Sequence, residues 1–189
     1  MDKKAMKLAL LALSMIVVSA PGRLAAADHA FVSVGMGYLQ PADSGYKEIY
    51  GSQVFYPDVR AGVRLVRGLY VVGGFATFTK NGETPDLHLA AKSTQSFFTA
   101  GLAYLATVSG QLKFKAEAGA AEVRYKEEAM GLAVSGSKLG FEAGMGLLVM
   151  GRMAFAGADL GYLSATDTVE GVRIKLGGAR ASLYIGVRI

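Results

Sequence analysis

Apolar residues alternate with small or polar residues along much of the chain, and residues 179–189 show this pattern most clearly. The odd positions there hold only Ala, Leu, Ile and Val, whereas the even positions hold Arg, Ser, Tyr and Gly. Successive side chains of a β-strand point to opposite faces, so strict alternation predicts a strand. Such a strand needs two different environments for its faces and a hydrogen-bonding partner on each edge. A closed barrel in which this strand pairs with the first one meets both needs.

The same alternation recurs from residue 28 onward and predicts eight strands in all. The predicted strands cover residues 32–38, 59–65, 69–79, 98–106, 112–120, 138–149, 156–162 and 179–189. The third of them has large apolar residues in both registers, so the pattern does not assign its two faces. No sustained helical periodicity follows the N-terminal segment, and the 25 glycines argue against a helical bundle. The sequence therefore predicts an all-β fold.

The connections between the predicted strands alternate between two kinds. Three are short and contain glycine, which predicts tight hairpin turns, and four are long and polar. The short ones are residues 66–68, 109–110 and 150–152, and the long ones are residues 39–53, 80–93, 126–136 and 165–173. Outer-membrane barrels have this asymmetry, with short periplasmic turns and long outer loops. The pattern predicts a closed, antiparallel, up-and-down transmembrane β-barrel with eight strands.

The composition of the less apolar strand face indicates which way the faces point. Glycine recurs on that face, at Gly35, Gly37, Gly101, Gly140, Gly144, Gly146, Gly157 and Gly161. A glycine on a water-exposed strand face weakens the strand, whereas in a narrow lumen it leaves room for long neighbouring side chains. We therefore expect the glycine-rich face to point inward and the Leu, Val, Ile and Phe face to contact lipid. A soluble, lipocalin-like barrel with an apolar interior is the alternative.

Aromatic residues on the predicted outer face fall into two groups. Tyr38, Phe98, Phe141 and Tyr162 lie near the ends with long loops, and Tyr104 and Phe114 lie near the ends with short turns. Two such belts are expected where aromatic rings meet the lipid headgroups on either side of a membrane. Aromatic residues are common in strands of any kind, so the belts support the membrane interpretation without deciding it.

The first 27 residues have the composition of a secretory signal peptide. Three lysines before residue 8 form a positive segment, residues 8–20 form an apolar one, and three alanines at 25–27 form a cleavage site. We therefore expect the barrel domain to comprise residues 28–189. Without the first 27 residues the formal net charge falls from +5 to +2, because that segment holds four basic residues and one acidic residue. A nearly neutral domain gives no support for a nucleic-acid partner.

With these features the chain resembles the small eight-stranded outer-membrane β-barrels of Gram-negative bacteria, of the OmpA transmembrane-domain and OmpX type. Residues 67–70, 73–74 and 78–82 also look like a hairpin of proteins described only as outer-membrane β-barrel domains. The resemblance implies a monomer in the bacterial outer membrane, in contact with membrane lipid. It also implies that the assembly machinery recognises the last strand, although such proteins usually finish in an aromatic residue rather than in Ile189.

Charged residues on the predicted inner face form the first group of candidate functional residues. They are Arg60, Lys115, Glu117, Glu142, Asp159 and Arg180. Counted from the short-turn ends of their strands, the three acids lie at similar heights. A charge inside so narrow a barrel is tolerated only when it is paired and hydrogen-bonded. We therefore expect a network in the middle of the lumen, in which the three cations neutralise the three acids and plug the barrel.

The first long connection carries a second group of candidates. They are Tyr46, Lys47, Glu48 and Tyr50. Two tyrosines around a Lys-Glu pair can form a surface turn that contacts a partner or a sugar. The alternative is a tyrosine cluster that stabilises this loop at the membrane surface.

No residues in the sequence have the spacing of a catalytic, cofactor or metal site. His29 lies next to the predicted cleavage site and His88 lies in a long loop, and neither shares a strand face with a serine at catalytic spacing. We therefore expect a non-enzymatic protein without a cofactor, with a structural or adhesive role at the cell surface. The first alternative is a barrel that binds or passes a small hydrophobic molecule, such as an OmpW-like channel or a lipocalin-like carrier. A minor alternative is an outer-membrane enzyme that modifies lipid A. We expect polar residues to dominate the lumen, which favours the plugged barrel.

Overall fold

The computed structural model describes residues 29–189, apart from residues 86, 130 and 170. The predicted signal peptide and its cleavage site lie outside the described residues. The strands are β1 (Ala30–Pro41), β2 (Val54–Val66), β3 (Leu69–Glu83), β4 (Ala90–Ser109), β5 (Leu112–Ala129), β6 (Leu132–Met150), β7 (Ala154–Val169) and β8 (Val172–Arg188). Each strand pairs antiparallel with its neighbour in sequence, and β1 also pairs with β8, which closes the sheet. The prediction of a closed barrel of eight antiparallel strands is confirmed.

The connections define two different ends of the barrel. The lower end carries the short turns that follow β2, β4 and β6. The upper end carries α1 (Ser44–Tyr50) between β1 and β2, residues 84–89 between β3 and β4, and the tight turns that follow β5 and β7. Among the described residues there is no helix long and apolar enough to cross a membrane.

The predicted loop boundaries at residues 126–136 and 165–173 are wrong. β5 and β6 remain paired up to Ala129 and Leu132, and β7 and β8 remain paired up to Val169. The polarity of these segments suggested loops, but an antiparallel ladder can continue where polar side chains face water and apolar ones face the interior. The upper end of the barrel is therefore mostly sheet.

The large apolar residues of the strands point outward. Val34, Leu102, Leu147, Leu160 and Ile185 are between 46% and 66% exposed. Polar and charged residues at the intervening positions, including Ser33, Lys115 and Asp159, are buried inside the barrel. The predicted assignment of the two faces is confirmed.

Strand β3, whose faces the sequence does not assign, follows the same rule. Val71 and Phe75 are exposed on the outside, whereas Tyr70, Ala76 and Phe78 are buried. The neighbouring strand explains this choice, because Phe75 pairs with the outward-facing Phe98. Tertiary pairing therefore sets a register that the residue pattern leaves open.

Aromatic residues mark the upper boundary of the apolar outer belt. Ring centroids lie 5.5 Å apart for Tyr38 and Phe55, and 5.0 Å apart for Phe75 and Phe98. Arg124 lies over Phe98 with its guanidinium carbon 4.8 Å from the ring centroid. Phe141, Tyr162 and, toward the lower end, Tyr104 are also exposed, as predicted, whereas Phe114 is half-buried. We call the part of the barrel above these upper rings the upper wall; its outer face on β5 carries two exposed ion pairs, Arg124 with Glu122 and Lys126 with Glu128.

Candidate functional site in the barrel lumen

The inward side chains form three layers along the barrel axis. The lower cluster consists of Phe31, Leu105, Leu148, Met150, Phe155 and Tyr184. The charged layer consists of Asp58, Arg60, Lys115, Glu117, Glu142, Asp159 and Arg180. The upper core consists of Leu39, Val54, Tyr56, Ala76, Phe78, Phe97, Ala121, Val123, Tyr125, Leu163, Ala165 and Leu176. This order follows the strands, because β5 contributes Lys115 to the charged layer and, farther up, Val123 to the upper core.

Arg60 is the centre of the charged layer. Its Nε donates to Asp58 Oδ2 over 2.9 Å, and its Nη1 donates to Glu117 Oε1 over 2.5 Å. The same Nη1 lies 3.7 Å from Asp159 Oδ2. One guanidinium therefore holds carboxylates from β2, β5 and β7, which is possible because its planar fork offers several donors at once.

Lys115 connects the charged layer to the lower cluster. Its Nζ pairs with Asp159 and lies 3.0 Å from Glu117 Oε2. It also lies 5.1 Å from the centroid of the Tyr184 ring, within the range of a cation–π interaction. The Tyr184 hydroxyl donates to Asp159 Oδ1 over 2.8 Å. Asp159 is thus held by both a lysine and a tyrosine.

Arg180 and Glu142 form a separate ion pair within the same layer. The structure therefore places all six of the predicted lumen residues in ion pairs, although the pairs form two groups rather than one. Asp58 is a member that sequence reasoning missed. Asp58 and Arg60 are two residues apart on one strand, so their side chains point to the same face. This spacing could have identified Asp58 as a lumen residue from the sequence.

Glycines beside the charged layer make room for its long side chains. Gly146 lies between Lys115 and Asp159 in the sheet, and a Cβ there would collide with the Asp159 carboxylate. A Cβ at Gly74 would lie 2.8 Å from Thr99 Oγ1 and 3.4 Å from Cγ of Arg60. The glycines of the inner face thus leave room for the long side chains of the charged layer, as predicted from the sequence.

The upper core corrects the expectation that polar residues dominate the lumen. The side chains of Tyr56, Phe97, Leu39, Leu163 and Val123 are almost completely buried, and the Phe97 ring centroid lies 5.8 Å from that of Phe78 and 6.2 Å from that of Tyr56. These residues lie at or beyond the ends of the predicted strands, so the pattern did not assign them to the interior. The upper half of the lumen is filled by apolar packing.

In the part of the chain that the structure describes, a lower cavity and a mouth cavity lie inside the barrel, and they share no lining residue. The lower cavity has a volume of about 30 Å³, which is space for only one or two water molecules, and Phe31, Arg60 and Tyr184 line it. The mouth cavity at the upper end has a volume of about 530 Å³. Along β4, Gln95 lines the mouth cavity, Phe97 belongs to the upper core and Leu105 lines the lower cavity. The upper core and the charged layer therefore separate the two cavities.

Helix α1 lies over the mouth cavity and is attached through Asp43. The Asp43 Oδ1 atom accepts from the backbone N–H of Tyr46 over 3.0 Å and so caps the helix. The Asp43 Oδ2 atom accepts from the backbone N–H of Lys175 on β8 over 2.9 Å. One carboxylate therefore fixes both the start of α1 and its position against the barrel wall.

The structure places the four predicted surface-contact residues of α1 differently from one another. Tyr50 is buried, Tyr46 and Lys47 are half-buried, and Glu48 is exposed. The ring centroids of Tyr46 and Tyr50 lie 4.7 Å apart, and the Tyr50 hydroxyl donates to Glu127 Oε2 over 2.5 Å. The two tyrosines thus face the cavity rather than the surroundings of the protein. This arrangement matches the alternative interpretation, in which the tyrosines stabilise the connection.

Glu127 is a residue of the mouth cavity that sequence reasoning missed. It lies on β5 in the upper wall, where its carboxylate accepts from Ser93 Oγ over 2.6 Å and from Tyr50. Burial raises the pKa of this carboxyl, and the two hydrogen bonds act in the opposite direction. Among the described residues, no cationic side chain forms an ion pair with it. Asp167, another acid of the upper wall, is instead paired with Lys138 over 3.0 Å.

The histidines stand apart from these groups. His88 is exposed at the upper end, with its Nδ1 3.9 Å from Glu83 Oε2. The backbone carbonyl of His29 accepts from the N–H of Arg64 at the lower end. Within the part of the chain that the structure describes, no group of three or more His, Cys, Asp or Glu residues is placed to hold a metal ion.

No protein-family model and no curated protein matches the chain. Solved structures match it over 85% of its length. OprG from Pseudomonas aeruginosa is 12% identical, with a TM-score of 0.68 and 96% of its chain covered. Ail, the attachment invasion locus protein of Yersinia pestis, solved with the heparin analogue sucrose octasulfate, is 17% identical, with a TM-score of 0.58 and 98% covered. Neisserial surface protein A is 16% identical, with a TM-score of 0.57 and 97% covered.

The fold is that of the small eight-stranded outer-membrane β-barrels. The identities are low, so the similarity concerns the architecture and does not transfer an activity from any of these proteins.

Proposed function

We propose that this protein is a non-enzymatic barrel of the bacterial outer membrane, exported by a cleaved signal peptide, which anchors a rigid, structured upper end at the cell surface. The observation that carries the proposal is the filled lumen, in which the upper core and the charged layer separate the two cavities. In this role the barrel is a monomer with membrane lipid around it, and the assembly machinery recognises β8.

The outer surface supports the membrane location. A protein dissolved in water does not keep a continuous belt of exposed Leu, Val, Ile and Met around its circumference, because the hydrophobic effect opposes it. Here Met36, Met145 and Leu183 are all more than half exposed on different strands. Aromatic rings bound this belt where the outer face becomes charged, as expected at the level of lipid headgroups.

The lumen supports an anchoring role over a transport role. A pore needs a continuous water-filled path, whereas the mid-lumen of this barrel holds ion pairs that are in direct contact. Above them, Tyr56 and Phe97 are each 1% exposed. An eight-stranded barrel has an interior that side chains can fill, and this one is filled.

The upper wall supports display at the cell surface. Paired strands β3 to β6 and the separate β7–β8 hairpin extend above the aromatic rings, so much of the surface presented there is rigid sheet rather than loose loops. Ail is described as an attachment invasion protein, and Neisserial surface protein A as a surface protein. An adhesive role for the upper wall of this protein agrees with those descriptions.

A planar lipid bilayer tests the plugged lumen. We expect the purified, folded protein to insert without producing steady ion conductance, while an open porin measured in the same bilayer conducts. Heat-modifiable gel migration shows beforehand that the sample is folded. Stable single channels from the wild-type protein would contradict the anchoring role and favour transport.

Cysteine labelling in whole cells tests the location and the orientation. Cysteine at Ser135 or Thr166, both in the upper wall, should react with a membrane-impermeant thiol reagent in intact cells. Cysteine at Ser109 or Arg152, at the lower end, should react only after the outer membrane is opened. The chain has no native cysteine, so the background is low. Equal labelling of both sets would show that the orientation is wrong.

A second candidate function is the binding of a small molecule at the upper end. The mouth cavity favours it, because about 530 Å³ lies within the size range of small-molecule sites. The filled lumen below the cavity favours binding over passage.

A further inference from the structure

The mouth cavity combines three features that the anchoring role does not require. It is large enough for a small molecule, its walls are mainly apolar and aromatic, and it contains a carboxylate without a cationic partner. The apolar wall includes Leu39, Ile49 and Leu176, and the aromatic wall includes Tyr46 and Tyr125.

Among the residues that line the mouth cavity, Glu127 is unusual because it is an acid with no ion-pair partner in the described structure. A half-buried carboxylate loses hydration, and in folded proteins such a group is normally paired with a cation. Glu127 receives hydrogen bonds only from the hydroxyls of Ser93 and Tyr50. Those donors hold the carboxylate in place but leave its charge uncompensated.

The aromatic side chains beside Glu127 suit a positive group. The faces of tyrosine rings attract a cation that has lost part of its water, and a cage of such rings is a known way to bind organic ammonium groups. Tyr46 and Tyr50 stand with ring centroids 4.7 Å apart at the cavity wall, and Tyr50 itself donates to Glu127. The negative charge and the two tyrosine rings are therefore next to each other.

We propose that the mouth cavity is a binding site for a small organic cation with an apolar body, whose ammonium group lies against the Glu127 carboxylate and the rings of Tyr46 and Tyr50. The apolar body contacts Leu39 and Leu176. This inference goes beyond the proposed anchoring function, because a plugged barrel could have the site or lack it.

A metal ion fits this site less well. Calcium and magnesium take several oxygen ligands, usually from more than one carboxylate. Asp43 also lines the cavity, but its two oxygens accept backbone N–H groups of Tyr46 and Lys175. Glu127 is thus the carboxylate that remains for a ligand, and a single carboxylate beside tyrosine rings selects an ammonium group.

The rim of the cavity limits the affinity. Arg173 and Lys175 also line the cavity, and both are exposed on β8. Neither forms an ion pair with Glu127 in the described structure, where the carboxylate accepts from Ser93 and Tyr50. Their positive charge opposes the entry of a cation, so their removal should strengthen binding.

Isothermal titration calorimetry on the full-length folded protein tests the proposal. Benzyltrimethylammonium is the cationic probe, benzyl alcohol the neutral one and benzoate the anionic one. A maltoside detergent is needed, because a phosphocholine detergent would itself supply a quaternary ammonium group. We expect the cation to bind at least tenfold more tightly than either other probe. Equal binding of benzyl alcohol, or no binding of the cation, would exclude the proposed selectivity.

Variants locate the site. Glu127→Gln keeps the shape of the side chain and an acceptor for Tyr50, and it should weaken binding of the cation at least tenfold. Glu122→Gln, on the outer face of the same strand, is the matched control and should leave binding unchanged. Unaltered binding by a folded Glu127→Gln protein would place the cation elsewhere.

The rim gives an independent test. Arg173→Gln combined with Lys175→Gln should raise the affinity for benzyltrimethylammonium severalfold. A lower affinity in this variant would show that the cavity prefers anions, and it would refute the proposal.

Discussion

The carboxylates of the charged layer and the carboxylate of the mouth cavity have different partners. In the charged layer, Glu117 and Asp159 each contact a lysine and an arginine. In the mouth cavity, Glu127 contacts only hydroxyl groups. A paired carboxylate deep in a barrel fixes the structure, because both charges lose hydration together and compensate each other. A carboxylate in an open cavity that has no ion-pair partner keeps a negative charge with which a cationic ligand can pair.

The largest effect should come from breaking the charged layer. Arg60→Ala removes the partner of Asp58 and Glu117, so the free energy of unfolding should fall by about 3–5 kcal/mol. Urea unfolding in detergent micelles, followed by tyrosine fluorescence, measures the change. Arg124→Ala is the control, because Arg124 forms an exposed pair with Glu122 and should matter little. Equal losses in the two variants would remove the distinction between a structural layer and a solvated surface.

A smaller decrease in the free energy of unfolding should follow when a methyl group is added to a glycine that packs against the charged layer. A Cβ at Gly157 would lie 2.7 Å from the Tyr184 ring, and the shifted ring would pull its hydroxyl away from Asp159. We expect Gly157→Ala to cost about 1–3 kcal/mol, as overpacking usually does. At Gly73 the nearest atom to an added Cβ is 3.5 Å away, so Gly73→Ala should be tolerated. The same urea measurement compares them, and a tolerated Gly157→Ala would contradict tight packing around Tyr184.

A local effect should appear at the mouth. Asp43→Ala removes the cap of α1 and its attachment to β8, at a cost of about 1 kcal/mol for the cap. Hydrogen exchange should speed up at the amides of Tyr46 and Lys175, with global stability little changed. Asp43→Asn keeps an acceptor for Tyr46 but offers an amide N–H₂ toward Lys175, so it should release the Lys175 amide alone. If the amides of Tyr46 and Lys175 exchange as slowly in Asp43→Ala as in the wild-type protein, then contacts other than those of Asp43 hold α1 in place.

The smallest effect concerns pH at the mouth. Burial raises the pKa of Glu127 above its ordinary value of 4.5, so the folded mouth binds this proton more tightly than the opened mouth does. The resulting stabilisation is fully present below pH 4.5 and is lost as pH rises through the raised pKa. The tyrosines that face Glu127 do not titrate in this range, since burial raises the pKa of Tyr46 and of Tyr125 to about 12.

Hydrogen exchange of α1 at several pH values measures this dependence. After correction for the intrinsic exchange rate, protection should be greater at the acidic end, and Glu127→Gln should remove the dependence. A dependence that persists in Glu127→Gln would assign it to another group. Stronger protection at neutral pH would mean that the pKa of Glu127 is lowered by its hydrogen bonds rather than raised by its burial.

Much of the barrel could be predicted because the residue types within each strand differ between the side that faces outward and the side that faces the lumen. Alternation in residues 179–189 and in the other predicted strands indicates which side chains face outward, and no tertiary contact is needed to read it. The charges of Arg60, Glu117 and Asp159 on the opposite face then require partners, because the lumen of a narrow barrel is not bulk water. The strand ends were less predictable, since polar residues occur both in loops and on the water-facing side of a sheet.

By itself, the sequence determined the number of strands, the faces of most of them and six of the seven charged residues of the charged layer. The period of a strand and the cost of an unpaired buried charge are local rules that act on any chain. Only the tertiary structure decided the facing of β3, the upper core and the mouth cavity. Phe97 and Leu163 became interior residues because the β4–β5 and β7–β8 pairs continue in register above the apolar belt. The hydroxyls that hold Glu127 come from β4, its predicted neighbour, and from α1, a helix that the sequence pattern does not predict.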